Sequence, residues 1–159
     1  QGDAFDALRQ LKEEGERFDL VMLDPPAFIK RRKDEREGLQ AYQRLNRLGL
    51  EVLEPGGLLV TSSCSFHLGR DEFLRQVQQA ARRAHVSLQL LESGGQGPDH
   101  PIHPAIPETA YLKTFFLRHC RAFSRRAFSL PVAAPGPAPR DQDPVNRVWR
   151  RYPAPAASA

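Results

Sequence analysis

FDLVMLDPP, residues 18–26, decides how this chain folds. Phe18 to Leu23 is a nearly continuous apolar run, which predicts a strand buried on both faces, as in a parallel sheet. Pro25 and Pro26 cannot donate to a sheet ladder, so they fix where the strand stops and leave Asp24 at its carboxyl end. On the amino side, Phe5, Leu8 and Leu11 recur every three residues, predicting a helix over Ala4 to Glu14 that Gly15 ends.

On the carboxyl side, Lys30 to Glu37 reads as a highly charged loop. Leu39 to Leu53 reads as a helix with Leu39, Tyr42, Leu45, Leu48 and Val52 on one stripe. Pro55-Gly56-Gly57 then turns into a second apolar run, Leu58 to Thr61, followed directly by Ser62-Ser63-Cys64-Ser65. Asp71 to Ala84 has Phe73, Val77, Ala80, Ala81 and Ala84 on its inward face and acidic residues in its first turn, so a third helix is expected. Strands follow at Val86 to Leu91 and Tyr111 to Arg118, with a loop rich in Gly, Pro and His from Ser93 to Pro107. Such alternation predicts an α/β sheet with crossover helices. The last two strands have no helix between them and should be antiparallel neighbours.

The 159 residues suffice for one core, and they divide in texture. Seven of the 14 prolines lie from Arg121 onward, where seven arginines, Arg121 included, face only Asp141 and Asp143. We expect 1–120 to fold and 121–159 to be a disordered Pro/Arg-rich tail. The net charge of +4 describes that tail, so it is no argument for a nucleic-acid surface on the folded part. Cys64 and Cys120 suggest no disulfide framework, which fits a reducing cytoplasmic compartment. No apolar run approaches the roughly 20 residues that span a bilayer, so no membrane partner is expected.

In open α/β sheets, ligands sit at the carboxyl ends of the strands. Asp3, Asp24-Pro25-Pro26 and Ser62 to Ser65 all fall there. Neighbouring strands run about 5 Å apart, so Asp24 and Cys64 should converge on one ligand. Alone, Asp-Pro-Pro is a rigid turn; after a buried strand, with a polar cluster after the next, the functional reading is the stronger. The plain reading of Cys64 is a small buried hydrophobe. Its place among serines, shortly before a helix amino terminus, favours a reactive thiol instead. Cys120 has no such setting. Lys30-Arg31-Arg32-Lys33 could meet phosphate, although Asp34, Glu35 and Glu37 make a solvated loop equally compatible.

The blocks GDAF (2–5), DLVMLDPPAF (19–28), EPGGLLVTSSCS (54–65), DHP (99–101) and ETAYLK (108–113) together resemble a known family. Over roughly residues 2–120 the chain is similar to the second half of the catalytic domain of the type I large-subunit ribosomal RNA cytosine-5 methyltransferases. The resemblance implies a partial Rossmann-like class I methyltransferase fold. Its sheet order is 3-2-1-4-5-7-6, of which this chain would supply strands 4-5-7-6. It implies S-adenosylmethionine as cofactor and ribosomal RNA as substrate and partner, and it leaves a homodimer open. By the same resemblance, Asp3, Ala4 and Asp24 bind the cofactor, while Asp24, Pro25, Pro26 and Phe28 hold the cytosine. Cys64 attacks cytosine C6, so that C5 can accept the methyl group, and the base must leave its stack to do so. The chain departs from the pattern at Ala27, where some RNA cytosine-5 enzymes carry a second cysteine. It also lacks the glycine-rich loop and the acidic residue that bind the cofactor's methionine and ribose, expected upstream of Gln1.

Other readings compete with this one. Amino-group methyltransferases of adenine or guanine also use a Pro-Pro turn, usually with an aromatic residue directly after it, where Ala27 stands here. Cys64, His67, His100 and His103 could be written down as zinc ligands, but both later histidines precede prolines in a loop the resemblance already explains, so no metal is expected. Finally, these residues alone could be an inactive fragment. Phe18 to Leu23 would then be an exposed apolar edge, and S-adenosylmethionine would bind weakly or not at all.

Overall fold

The computed structural model describes residues 2–120, so the expectations for 121–159 lie outside the described residues. Asp3 begins the fold as a helix cap. Its carboxylate accepts the backbone N–H groups of Phe5 at 2.8 Å and Asp6 at 3.2 Å, which fixes the start of α1 (Ala4–Glu13). Gly15, at φ +77°, ends the helical path and releases the chain into β1 (Phe18–Leu23). A short 3-10 turn (Arg32–Asp34) then precedes α2 (Glu35–Glu51), and β2 (Leu53–Ser63) follows directly. The remainder is α3 (Arg70–Arg83), β3 (Ser87–Gly94), a second 3-10 turn (Pro107–Thr109) and β4 (Lys113–Cys120).

The sheet order is β1-β2-β4-β3, the arrangement expected for strands 4-5-7-6. β1 and β2 are parallel, with Leu23 opposite Thr61. β4 is antiparallel to both β2 and β3, as the absence of a helix between the last two strands requires. Tyr42, Leu45 and Leu50 of α2 and Phe73, Val77 and Ala80 of α3 bury against Val21, Leu23, Leu59, Phe115 and Leu117 of the sheet. Among the described residues no helix is long and apolar enough to cross a membrane.

Three sequence expectations need correction. β1 is buried on one face only: Val21 and Leu23 point into the core, while Leu20 and Met22 are 52% and 66% exposed. The strand lies at the sheet edge, and α2 packs on just one of its faces. The charged segment is not loop throughout, since α2 starts at Glu35, four residues before the expected Leu39. Glu35 and Glu37 in its first turn complement the positive end of the helix dipole. Gly38 permits this early start, because a Cβ there would stand 2.3 Å from Ile29 Cγ1. Finally, Pro55-Gly56-Gly57 lies inside β2 rather than before it. Phe18 pairs with Leu53 and Leu20 with Leu58, so Glu54 to Gly57 bulge against Asp19, with Gly56 at φ +99°. The other boundaries move by a few residues: β3 runs on to Gly94, and β4 starts at Lys113 rather than Tyr111.

Candidate active site

The carboxyl ends of the parallel pair β1 and β2 carry the polar residues singled out above. Past β1, Asp24, Pro25, Pro26 and Phe28 line one wall of a pocket of about 400 Å³, and Gly2, Asp3, Ala4 and Phe5 line another. Every residue expected to hold cofactor or base therefore borders one cavity, whose remaining walls are Met22, Leu23 and Leu45. Phe28 is packed in an aromatic row, with ring centroids 6.2 Å from Phe5 and 4.8 Å from Tyr42. Asp3 spends one carboxylate oxygen on the α1 cap, a duty the sequence reading overlooked although an acidic residue directly before a helical stripe signals it.

Cys64 does not line that pocket. It sits half-buried just past β2, with Sγ 3.9 Å from the carbonyl oxygen of Pro25, so the thiol meets the Asp-Pro-Pro turn at its backbone. The flanking serines are fully buried, and the hydroxyl of Tyr42 holds them. Ser63 Oγ donates to Tyr42 Oη at 2.9 Å, and the Tyr42 hydroxyl lies 2.9 Å from Ser65 Oγ. Ser65 Oγ also accepts the N–H of Ile29 at 3.1 Å, and Ser63 Oγ accepts the N–H of Ser65 at 3.3 Å. One phenol on α2 thus ties the loop after β1 to the loop carrying Cys64. The sequence placed Tyr42 on the inward stripe but gave it no task; a buried phenol needs a partner for its hydroxyl.

Lys113 was missed as well. It pairs with Ser63 across β2 and β4 and lies on the buried phase of β4 with Phe115 and Leu117. Its Nζ donates to the carbonyl of Ser65 at 2.5 Å, and burial brings its pKa down to about 8. A lysine in register with buried apolar residues was the available signal.

Basic side chains gather beyond the Asp-Pro-Pro loop. Arg31 pairs with Asp34 at 3.0 Å, whereas Arg32, Lys33 and Arg36 form no ion pair among the described residues and border a groove of about 480 Å³ with Glu35, Leu39 and Gln40. Gln40 also borders a second groove of about 460 Å³ with Arg44, Arg47 and Arg83. No group of three or more His, Cys, Asp or Glu side chains suited to a metal is gathered among the described residues, and His100 pairs instead with Asp99.

No protein-family model matches the chain. The chain is 38% identical over 116 residues to the ribosomal RNA large subunit methyltransferase I of Erwinia tasmaniensis, covering 73% of its own length and 29% of that protein. It is 41% identical over 113 residues to the protein of the same name from Photobacterium profundum, covering 71% and 28%. The chain thus spans under a third of the length of these curated relatives. Among solved structures, a candidate methyltransferase complexed with SAH superposes with a TM-score of 0.61 at 24% identity, over 74% of this chain and 30% of that one, a likeness of fold.

Proposed function

We propose, starting from its similarity to ribosomal RNA large subunit methyltransferases, that this chain carries the catalytic residues of an S-adenosylmethionine-dependent RNA methyltransferase. On this reading its product is 5-methylcytosine, made through a covalent adduct of Cys64. The observation that carries this reading is the approach of Cys64 Sγ to Pro25 O at 3.9 Å, which sets a nucleophile against the turn that would hold the base. An amino-group methyltransferase has no use for a thiol at that point.

The pocket suits part of the cofactor. Phe5, Met22, Pro25 and Leu45 offer apolar walls to a flat base, and Asp3 and Asp24 offer acceptors to its amino and hydroxyl groups. No lysine or arginine lines it, so the carboxylate end of the cofactor has no counter-charge from these walls. Asp3, Ala4 and Asp24 are the residues we assign to the adenosine end. When bound, S-adenosylmethionine supplies an electrophilic methyl group.

The chain's own residues do the rest. Pro25 and Pro26 hold their carbonyls in a fixed frame, and Phe28 backs the base. The Cys64 thiolate adds to cytosine C6, a new C–S bond forms, and the ring electrons become available at C5. Asp24, beside N3 and N4, stabilises the charge that develops on the ring. Once C5 has taken up the methyl group, its proton passes to solvent, the C5–H electrons re-form the C5–C6 double bond, and the C–S bond breaks with its electron pair returning to Cys64 as thiolate. Arg32, Lys33, Arg36 and Arg44 are candidate contacts for the phosphates of ribosomal RNA, the partner we assign. Because Cys64 must stay reduced to attack, we assign the reaction to the cytoplasm.

The test is the identity of the methylated nucleoside. Full-length protein is incubated with unmodified ribosomal RNA and labelled cofactor, and digested nucleosides are resolved by mass spectrometry. The account expects label in 5-methylcytidine and none with Cys64→Ala; label in an N-methylated purine, retained by Cys64→Ala, contradicts it.

A further inference from the structure

A second cavity, of about 320 Å³, lies where β2 has ended, β4 begins and β3 runs out, at the same end of the sheet as Cys64. Phe66, two residues past Cys64, and Ile102 supply apolar wall and remain 41% and 56% exposed. Two cations border the same space, Arg70 and Lys113, and no carboxylate lines it. Arg70 is exposed, spends Nη2 on Gly94 O at 2.8 Å, and forms no ion pair among the described residues. Lys113 is buried and tied through Nζ to the carbonyl of Ser65. Gln96, the remaining polar side chain on the wall, is already used by the backbone. Its Nε2 donates to Thr109 O at 2.6 Å and His100 O at 3.1 Å, and its Oε1 accepts the N–H of Tyr111 at 3.0 Å. The cavity therefore offers an exposed ring and positive charge, but no free amide to read the edge of a base.

We infer that this cavity holds one nucleotide of the substrate strand beside the target cytosine, its base stacked on Phe66 and its phosphate met by Arg70. The inference rests on the reading of this chain as an RNA methyltransferase, and adds a grip on the strand once the target base has left its stack. Ligand pockets begin at about 300 Å³, so the space suits a single nucleotide rather than a longer segment. In the order β1-β2-β4-β3 the cavity falls on the side of β2 away from β1, within about 5–10 Å at one strand spacing per neighbour. The loop of Cys64 thus stands between two spaces: Sγ meets Pro25 O, which borders the pocket of Asp24, and Phe66 borders this cavity. Two adjoining bases can be splayed to either side of that loop. Arg70 meets the phosphate directly, whereas Lys113 adds its charge from beneath. A wall that holds the face of a base and not its edge tolerates any base, because every base has a π face.

The test follows RNA binding without cofactor or methyl transfer. Full-length protein is titrated with a short fluorescein-labelled oligocytidylate, read by anisotropy over a range of salt concentrations. Phe66→Ala should weaken binding about tenfold with the salt dependence unchanged, since stacking carries no charge. Phe66→Leu, apolar but without a π face, should bind as poorly as Phe66→Ala, and Phe66→Trp should bind at least as well as the parent. Arg70→Gln should reduce the slope of log affinity against log salt by about 0.7, the share of one phosphate on a single strand. Parent-like affinity in Phe66→Ala or Phe66→Leu overturns the stack, and a slope unmoved by Arg70→Gln overturns the phosphate contact. Phe66 and Arg70 are both exposed, so neither substitution disturbs the core. If the variants behave as expected yet no 5-methylcytidine forms, the proposed reaction falls and this site stands. If 5-methylcytidine forms through Cys64 but the variants bind RNA like the parent, the reverse holds.

Discussion

Cys64 Sγ lies 3.9 Å from Pro25 O, although 39 residues separate the two in the chain. The approach follows from the parallel pairing of β1 and β2, whose carboxyl ends finish side by side. It is held by hydrogen bonds that converge on Tyr42, not by the thiol itself.

Tyr42→Phe should therefore loosen the site more than its single lost oxygen suggests. The ring remains, packed against Phe28 and Phe73 at 4.8 and 5.3 Å, but buried Ser63 and Ser65 each lose a partner. Leaving buried hydroxyls unpaired costs about 1–3 kcal/mol. Urea unfolding of the variant should show a lower midpoint at unchanged slope. An unchanged midpoint would mean that the phenol does not tie the two loops together.

The fold was largely legible because period and punctuation agreed. Phe18 to Leu23 stopped at Pro25-Pro26, and the helical stripe through Tyr42 and Leu45 lay between two apolar runs. Burial on one face of β1 was not legible, because an apolar run looks the same whether helices cover one face or both. The early start of α2 was hidden by charge: Glu35 and Glu37 read as loop but stabilise a helix amino terminus. The positions of Asp24 and Cys64 came from strand ends and were accessible to sequence reasoning. Tyr42 and Lys113 were marked only as polar groups in register with buried apolar ones, and the partners they find depend on which loop the fold brings against them.

Lys113 also predicts how stability depends on pH. Its folded pKa, about 8, lies below its ordinary 10.5 because burial disfavours the charge. Below about pH 8 both folded and unfolded states are protonated, and the folded state carries the full cost. Between 8 and 10.5 the unfolded state binds more protons, so stability rises with pH. Relative to Lys113→Met, the parent protein should gain on the order of 3 kcal/mol across that window. A constant gap between the two, measured by urea unfolding from pH 7 to 10.5, would show that the lysine is not desolvated.

The exposed face of β1 predicts self-association of the 159-residue chain. Leu20 and Met22 present apolar side chains at an edge strand, the arrangement that invites pairing with another chain. Replacing both with lysine should reduce the apparent mass in sedimentation velocity while changing stability by no more than about 0.5 kcal/mol per site. Association that persists unchanged would place the sticky surface elsewhere.

The central claim is that Cys64 adds to cytosine C6. RNA carrying 5-fluorocytidine gives the most direct test, because the adduct cannot lose a proton from C5 after methylation and the C–S bond persists. Full-length protein, cofactor and this RNA should yield a denaturant-resistant complex, and peptide mass spectrometry should place the nucleotide on Cys64. A crosslink absent from active enzyme, or one retained by Cys64→Ala, would contradict the account.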